Sequence, residues 1–328
     1  MDIKRNLGQY FTKSSVWLRP QIKRFIAKAK PSIVIDPFAG AGDLLKVAND
    51  LGYGNVDGYD IDPKLGWKVN DGLRGLKSIE NGLILTNPPY LAKNSAKRRN
   101  LDSYAYFLDN NLQDLYQIAI RSILQACRYS VLIIPETFLV SGMFVDSIDS
   151  ITILEENPFE DTDCPTCVCC FDSAKMAFLN SRHHVYDIYK NDLFLFNSQE
   201  AETRLATYKA KIQHSIKFND ATGNLGLRGI DGINSSDRIK FCFPQELCYD
   251  LSNIKTSSRA ITVVKVDTKV DTDFLTQINY YFEDYRAKTH DVFMAPFKNN
   301  NSMGIRRRRI DFKLARNFIN KTIEILDK

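Results

Sequence analysis

The sequence predicts an α/β domain built on a mainly parallel sheet, followed by a smaller α+β module. Three observations carry this. Apolar runs of strand length alternate with helix-period segments through the first half of the chain. A glycine-rich turn joins the first of these strands to the helix after it. Beyond about residue 190 the alternation gives way to short β-branched runs separated by Gly, Asn, Asp and Ser. A chain of 328 residues also favours two domains, since one domain usually holds roughly 100–200 residues. The expected division is 1–190 and 191–328.

In order, PSIVIDPFAGAGDLLKVANDLG (31–52) reads as strand, tight turn and helix. NVDGYDIDP (55–63) supplies a second strand and GLILTNPPY (82–90) a third. Pro88 and Pro89 end that third strand, because neither a helix nor a central strand tolerates consecutive prolines. DLYQIAIRSILQAC (114–127) has helical periodicity and leads into a fourth strand, SVLIIPETFLV (130–140). Strands alternating with helices imply right-handed crossovers, and ligands then bind at the carboxyl ends of the strands. In the second half, FNDATGNLGLRGIDGINSSDRIKF (218–241) and NNNS (299–302) read as loops, and AITVVKV (260–266) as a strand.

Hydrophobic residues at 44% and charged residues at 25% are ordinary for a soluble globular protein. The first residues, MDIKRNLGQYFTK, lack the roughly 7–15-residue apolar run of a secretory signal. No stretch approaches the ~18 apolar residues of a membrane helix, so a cytoplasmic protein with no membrane partner is expected. Four of the seven cysteines lie in CPTCVCC (164–170). A zinc site would need Cys242 with Cys248, or His183 with His184, and neither pair has knuckle spacing. TCVCCFD (166–172) reads instead as a buried strand whose thiols act as small hydrophobes, and no metal is expected.

The formal net charge of +5 is modest but unevenly placed. Lys93, Lys97, Arg98 and Arg99 follow the proline corner, and Arg306 to Arg309 form an unbroken run. Two such runs, one beside a candidate site, point to a polyanionic partner.

The chemistry concentrates in two motifs. In DPFAGAGD, Gly40 and Gly42 let the backbone turn tightly where helix N–H groups can meet a ligand. Taken alone, this suits a dinucleotide enzyme equally well. Asp60, 24 positions beyond Asp36, has the spacing of an acceptor for ribose hydroxyls. The second motif is Asn87-Pro88-Pro89-Tyr90. Its prolines would hold the Asn87 side chain and the Pro88 carbonyl pointing the same way, so that two acceptors grip both protons of one amino group. Tyr90 adds a flat face for a base.

Read together, GQYFT (8–12), DPFAGAG, YDIDP, VNDGL, LTNPPY, DLYQIAI, LIIPETFL and NPFEDTDCPTCVCCF resemble the N6-adenine DNA methyltransferases of restriction-modification systems. In these the order is glycine turn, NPPY, then target recognition domain. The resemblance covers about the first half of the chain. It implies a Rossmann-like, mixed but mainly parallel methyltransferase domain, S-adenosyl-L-methionine as cofactor, and double-stranded DNA as partner. It further implies a restriction endonuclease acting on the same site.

By this resemblance Gln9, Tyr10 and Thr12 fold over the methionine end of the cofactor, and Asp36, Phe38, Ala39, Gly40 and Gly42 cradle it. Asp60 takes the ribose, Ile61 packs on the adenine, and Asp71 meets the adenine amino group. VNDGL departs from the family there, with Gly72 where an aromatic residue is commoner. Asn87 and the Pro88 carbonyl accept from the target amine beside the cofactor, with Pro89 completing the corner. Tyr90 and Phe159 enclose an extruded base. Lys93, Arg98, Arg99, Arg228, Asn234, Arg238, Arg306, Arg307, Arg308 and Arg309 are the expected DNA contacts. An RNA amino-methyltransferase and a catalytically inactive DNA-binding specificity protein remain as alternatives. A glutamine methyltransferase of release factors, which also carries NPPY, has a helical domain ahead of the glycine turn, where about 35 residues stand here.

Overall fold

A computed structural model describes residues 14–141, 143–154, 158–159, 164–174, 208–248, 250 and 258–327, together with the backbone of 183–187 and 192–196. The chain divides into two compact units, one holding residues 1–138 and 143–196, the other 139–142 and 197–328.

The first unit is a mixed, mainly parallel Rossmann-like sheet. Its strands are β1 (Ile33–Asp36), β2 (Val56–Asp60), β3 (Lys68–Val69), β4 (Ile79–Thr86), β5 (Cys127–Pro135), β6 (Ile148–Ile153), β7 (Thr166–Asp172), β8 (His183–Asp187) and β9 (Asp192–Phe196). They lie in the order β3-β2-β1-β4-β5-β7-β6-β8-β9. β1 to β5 are mutually parallel, whereas β7 runs antiparallel to both β5 and β6. The chain leaves β1 for β2 on one side and returns through β4 on the other. That makes the β1/β4 boundary a topological switch point, where a crevice opens at the strand ends.

Besides a single helical turn at Ser14–Trp17, the unit holds helices α1 (Pro20–Ala29), α2 (Asp43–Asp50), α3 (Lys93–Arg98) and α4 (Leu115–Ala126). Ile22, Phe25, Ile26, Leu44, Val47 and Ala48 of α1 and α2 bury themselves with Val34, Leu83, Leu85, Val131 and Ile133 of the sheet. Strands this apolar on both faces are what helices on both faces require. α4 starts at a true cap, the Asp114 side chain accepting from the Tyr116 N–H. The stretch expected as one strand over 130–140 is strand only to Pro135; a turn of 3₁₀ helix, Glu136–Val140, follows. TCVCCFD is the wholly buried β7. Among the described residues no helix is long and apolar enough to cross a membrane, and no group of three or more His, Cys, Asp and Glu side chains gathers as a metal site.

The second unit is α+β. β10 (Ile216–Phe218), β11 (Leu225–Arg228), β12 (Lys240–Cys242) and β13 (Ile261–Val266) form an antiparallel sheet in the order β10-β13-β11-β12. α5 (Thr272–Thr289) and α6 (Phe312–Leu326) close its core through Phe274, Ile278, Phe282, Tyr285, Phe318 and Ile319. Tyr208, Tyr285 and Phe318 meet edge to face with centroids 5.2 to 5.6 Å apart, the arrangement ring quadrupoles favour. A separate hairpin pairs β14 (Ala295–Asn300) with β15 (Arg306–Arg309).

Two expectations are corrected here. Arg228 is not in a loop: it ends β11, opposite Lys240, and its guanidinium is 3.1 Å from Asp237. The arginine run is not a free cationic face either. It is β15, and the two-residue period of a strand turns Arg306 and Arg308 inward, 7% and 3% exposed. Arg306 donates to Asn300 Oδ1 and Arg308 to the Met294 carbonyl. Only Arg307 and Arg309 are half-buried on the other side.

A buried charge network anchors this hairpin. The Arg286 guanidinium donates to both oxygens of Asp231, at 2.9 and 3.0 Å, and to both of Asp291, at 2.8 Å each. Asp231 also accepts from the backbone N–H groups of Ile239 and Arg308.

Candidate active site

The glycine turn is held from three directions. The Ala39 N–H donates to the Tyr59 carbonyl at the end of β2. The Gly40 N–H donates to Asp60 Oδ2 at 2.9 Å, and Trp67 Nε1 donates to the Gly40 carbonyl at 2.8 Å. Gly42 caps α2 with φ of +85°, and a Cβ there would lie 2.9 Å from the Trp67 ring, so conformation and space both demand glycine. Asp60 is 3% exposed, and its second oxygen accepts the Asp62 N–H at 2.9 Å. It therefore clasps the two loops that follow β1 and β2, with Ile61 standing 44% exposed beside it. A carboxylate has about four lone-pair sites, so these bonds leave acceptor capacity in Asp60.

Asp36 ends β1 and is buried. Its Oδ1 accepts from the Thr86 hydroxyl at 2.5 Å and the Phe38 N–H at 3.0 Å. The Thr86 bond ties the last residue of β1 to the last of β4, immediately before Asn87. Burial, against these hydrogen bonds and with the Asp60 charge adding to it, pushes the Asp36 carboxyl up from 3.8 to about 7. The sign of the consequence is fixed. Between about pH 4 and 7 the unfolded chain has lost this proton and the folded chain keeps it, so stability falls as pH rises across that window and is flat above it. Relative to Asp36→Asn, the wild-type chain should lose up to about 4 kcal/mol between pH 4 and 7.5. Urea denaturation of both chains across that range checks it; parallel curves would refute a buried, proton-retaining Asp36.

Asp71 is committed to two neighbours in its own loop and to Tyr106, 35 residues on. It accepts from the Leu73 N–H at 3.1 Å, from Arg74 Nε at 3.1 Å and from the Tyr106 hydroxyl at 2.8 Å. Burial first, and then this bond and charge, raise the Tyr106 phenol to about 12. Gly72 sits against Phe38: a Cβ there would come 2.8 Å from the Phe38 ring. The loop after β3 thus closes on the glycine turn, and the departure from an aromatic at Gly72 has a cause, since Phe38 already fills that space.

Asn87 to Tyr90 leave the end of β4. Pro88 is buried, and Asn87, Pro89 and Tyr90 are half-buried. The Tyr90 hydroxyl lies 2.5 Å from Asn87 Oδ1 and 2.6 Å from the Ile133 carbonyl of β5. One hydroxyl proton cannot serve both. A 2.5 Å separation is that of an O–H···O bond and is too short for an amide N–H donor, so the phenol donates to the Asn87 oxygen and holds that side chain in place.

The Tyr90 ring meets Phe159 edge to face, centroids 6.2 Å apart and planes at 64°, and Tyr116 at 6.4 Å and 90°. The structure thus brings the two aromatics expected to enclose a base to the same place, but against each other. A base between parallel rings needs roughly 7 Å, two stacking steps of about 3.4 Å. At 6.2 Å and 64° the two rings leave no parallel slot between them.

Sequence reasoning missed the group that fixes the far side of this corner. Asp114 Oδ1 accepts the Leu91 N–H at 3.0 Å while capping α4. Leu115 N–H donates to the Leu91 carbonyl, and Lys93 N–H to the Gln113 carbonyl. Burial, opposed by these backbone bonds, raises the Asp114 carboxyl to about 6. The signal available was its place as the polar residue ahead of a helical apolar run. Thr86 and Trp67 were likewise unremarked.

Lys93 Nζ reaches the Phe107 carbonyl at 3.3 Å, while Lys97, Arg98 and Arg99 are exposed. Arg238 pairs with Glu283 at 3.0 Å, and Asn234 is exposed. Gln9, Tyr10 and Thr12 lie outside the described residues.

No family model matches the chain, and no curated protein does. Among solved structures it is similar to the type I restriction-modification methyltransferase subunit from Streptococcus thermophilus. The identity is 17% and the TM-score 0.38, over 65% of this chain and 57% of that one. It is similar to the type I restriction enzyme EcoKI M protein at 13% identity and a TM-score of 0.40, over 97% and 71%. It is similar to the type IIG restriction endonuclease BpuSI at 14% and 0.43, over 69% and 37%.

Proposed function

We propose that the chain is a site-specific DNA methyltransferase that moves the methyl group of S-adenosyl-L-methionine to the N6 amino group of an extruded adenine. The observation that carries this reading is the placement of Asn87-Pro88-Pro89-Tyr90 at the end of β4, across the switch point from the glycine turn after β1 and bonded to it through Thr86 and Asp36. The cofactor supplies a methyl group on a sulfonium centre. The groups present fit it: tight glycine backbone at a helix start, an exposed apolar Ile61 for the adenine, the acids Asp60 to Asp62 for the ribose, and an Asp36 carboxyl ready to ionise beside a cation.

The chain's own residues then act on the amine. An adenine N6 lone pair is delocalised into the ring, so the nitrogen is a poor nucleophile. The Asn87 oxygen and the Pro88 carbonyl would accept its two protons, favour its pyramidal form and stabilise the positive charge that grows as the methyl arrives. The Tyr90 hydroxyl, donating to the Asn87 oxygen, would hold that side chain in place for this contact. The target base is closed off inside a duplex, so it leaves the stack at a cost of a few kcal/mol, offset by stacking on Tyr90 and Phe159. The partner is double-stranded DNA, and the role such an enzyme serves is protection of that DNA from a restriction endonuclease of the same site.

Incubation with methyl-labelled cofactor and duplex DNA, followed by nucleoside analysis, tests the reading: label should appear in N6-methyladenine. Label in RNA alone, or none with cofactor bound, would sink it. A second test concerns the clasp. Asp60→Ala should weaken S-adenosylmethionine binding by about 2 kcal/mol, roughly thirtyfold, by calorimetry. An unchanged dissociation constant would move the ribose contact to Asp62.

A further inference from the structure

The hairpin of the second unit has a surface that the amine site does not use. Of the five cations in residues 295–309, Lys298 is exposed and Arg307 and Arg309 are half-buried, and the segment holds no carboxylate. A third segment runs antiparallel along β15. The Ile310 N–H donates to the Gly229 carbonyl and the Asp231 N–H to the Arg308 carbonyl, each at 3.0 Å, with Ile230 bridged to Arg309. At the far end the Ser302 N–H donates to the Ile233 carbonyl at 2.8 Å, joining the two turns into one tip.

That tip is apolar. Ile233, Met303 and Ile305 are 66%, 67% and 42% exposed. Large apolar side chains scattered singly on a surface need no explanation. Three at the tip of a cationic ribbon mark a contact. The ribbon is also rigid. Asn301 Oδ1 accepts from the Met303 and Ile305 N–H groups, Arg307 Nε donates to the Asp231 carbonyl at 2.7 Å with its guanidinium over the Phe297 ring, and Arg286 anchors Asp231. Nearby acids are already paired, Asp237 with Arg228 and Asp231 with Arg286. What the ribbon presents is apolar at the end and positive along the sides. Double-stranded DNA has that complement: thymine methyl groups and base faces inside a groove, phosphates on both rims.

We infer that this ribbon, residues 229–233 with 295–309, docks on double-stranded DNA, with Met303, Ile305 and Ile233 against the bases and Lys298 and Arg307 on the flanking phosphates. The inference rests on the reading of the chain as a DNA methyltransferase and names the surface by which it would hold its substrate. The two kinds of contact separate by salt. Losing an apolar contact weakens affinity without changing the slope of log affinity against log salt, whereas each lost phosphate contact flattens that slope by about one.

The test compares the full-length wild-type chain with the double variant Met303→Ser, Ile305→Ser and with Lys298→Gln. Fluorescence anisotropy follows binding to duplex DNA of randomised sequence and to single-stranded RNA across a salt series. Melting temperature and S-adenosylmethionine binding serve as controls. The double variant should bind duplex about tenfold or more weakly with its salt slope unchanged, and Lys298→Gln should flatten the slope by about one unit. Should the double variant melt early, Met303→Ser alone carries the test with the same outcomes. Wild-type affinity in the apolar variant, a changed slope in it, or a loss confined to RNA overturns the inference. Methyl transfer by the wild type keeps the two readings apart. If no DNA is methylated yet duplex binding falls as expected, the ribbon stands and the enzyme reading fails. If DNA is methylated equally by both chains, the ribbon alone fails.

Discussion

Replacing Asn87 with Ala should lower methyl transfer at least about a hundredfold and leave S-adenosylmethionine bound as tightly as before. The magnitude is that of removing one acceptor aimed at charge that develops only in the transition state. Thr86 is held by Asp36, and Leu91 by Asp114, so the corner keeps its course when the amide is gone. Single-turnover rates with saturating cofactor, set beside calorimetric cofactor affinities, decide the matter. A variant within tenfold of wild type would remove Asn87 from the chemistry.

The second large effect is on stability. Arg286→Ala should destabilise the second unit by about 3–5 kcal/mol, because it strands the buried Asp231 and the half-buried Asp291, whose charges the guanidinium now balances. Burial alone would raise the Asp231 carboxyl, but its hydrogen bonds and ion pair with Arg286 hold it below the ordinary 3.8. A depressed carboxylate contributes stability above its unfolded value and loses it as pH falls through the folded one. In the wild type this contribution therefore disappears only below about pH 4, and the variant should lack it at every higher pH. Urea unfolding at neutral and acid pH reads both. A cost under about 1 kcal/mol would mean the network is solvated, as surface pairs are.

The parts of the molecule legible in the sequence are those specified by neighbours in the chain. Asp36 to Asp43, strand end to helix start, and Asn87 to Tyr90 carry their geometry in glycine and proline, so their position at strand ends could be read directly. The helix from Leu115 to Ala126 was equally plain from its apolar spacing. What could not be read depends on partners far along the chain. Nothing local in IDSITI says that β6 lies outside β7, so that β7 turns antiparallel against β5. Four consecutive arginines look like a solvated face until Asp231, Asn300 and Met294 are placed around them. The mutual contact of Tyr90 and Phe159 likewise required the fold.

The cysteine strand has a use beyond packing. Cys169 and Cys170 lie in the middle of the first unit's sheet, and burial lifts both thiols, Cys170 to about 12. Cys242 sits inside the second unit, its thiol raised to about 11 by burial and by Glu246. A thiol so placed reacts only when its surroundings open, and it then reacts at the rate set by that opening. Each unit therefore contains its own chemical clock. Alkylation timed residue by residue would report how often β7 and β12 part from their neighbours, and whether cofactor slows the first while DNA slows the second.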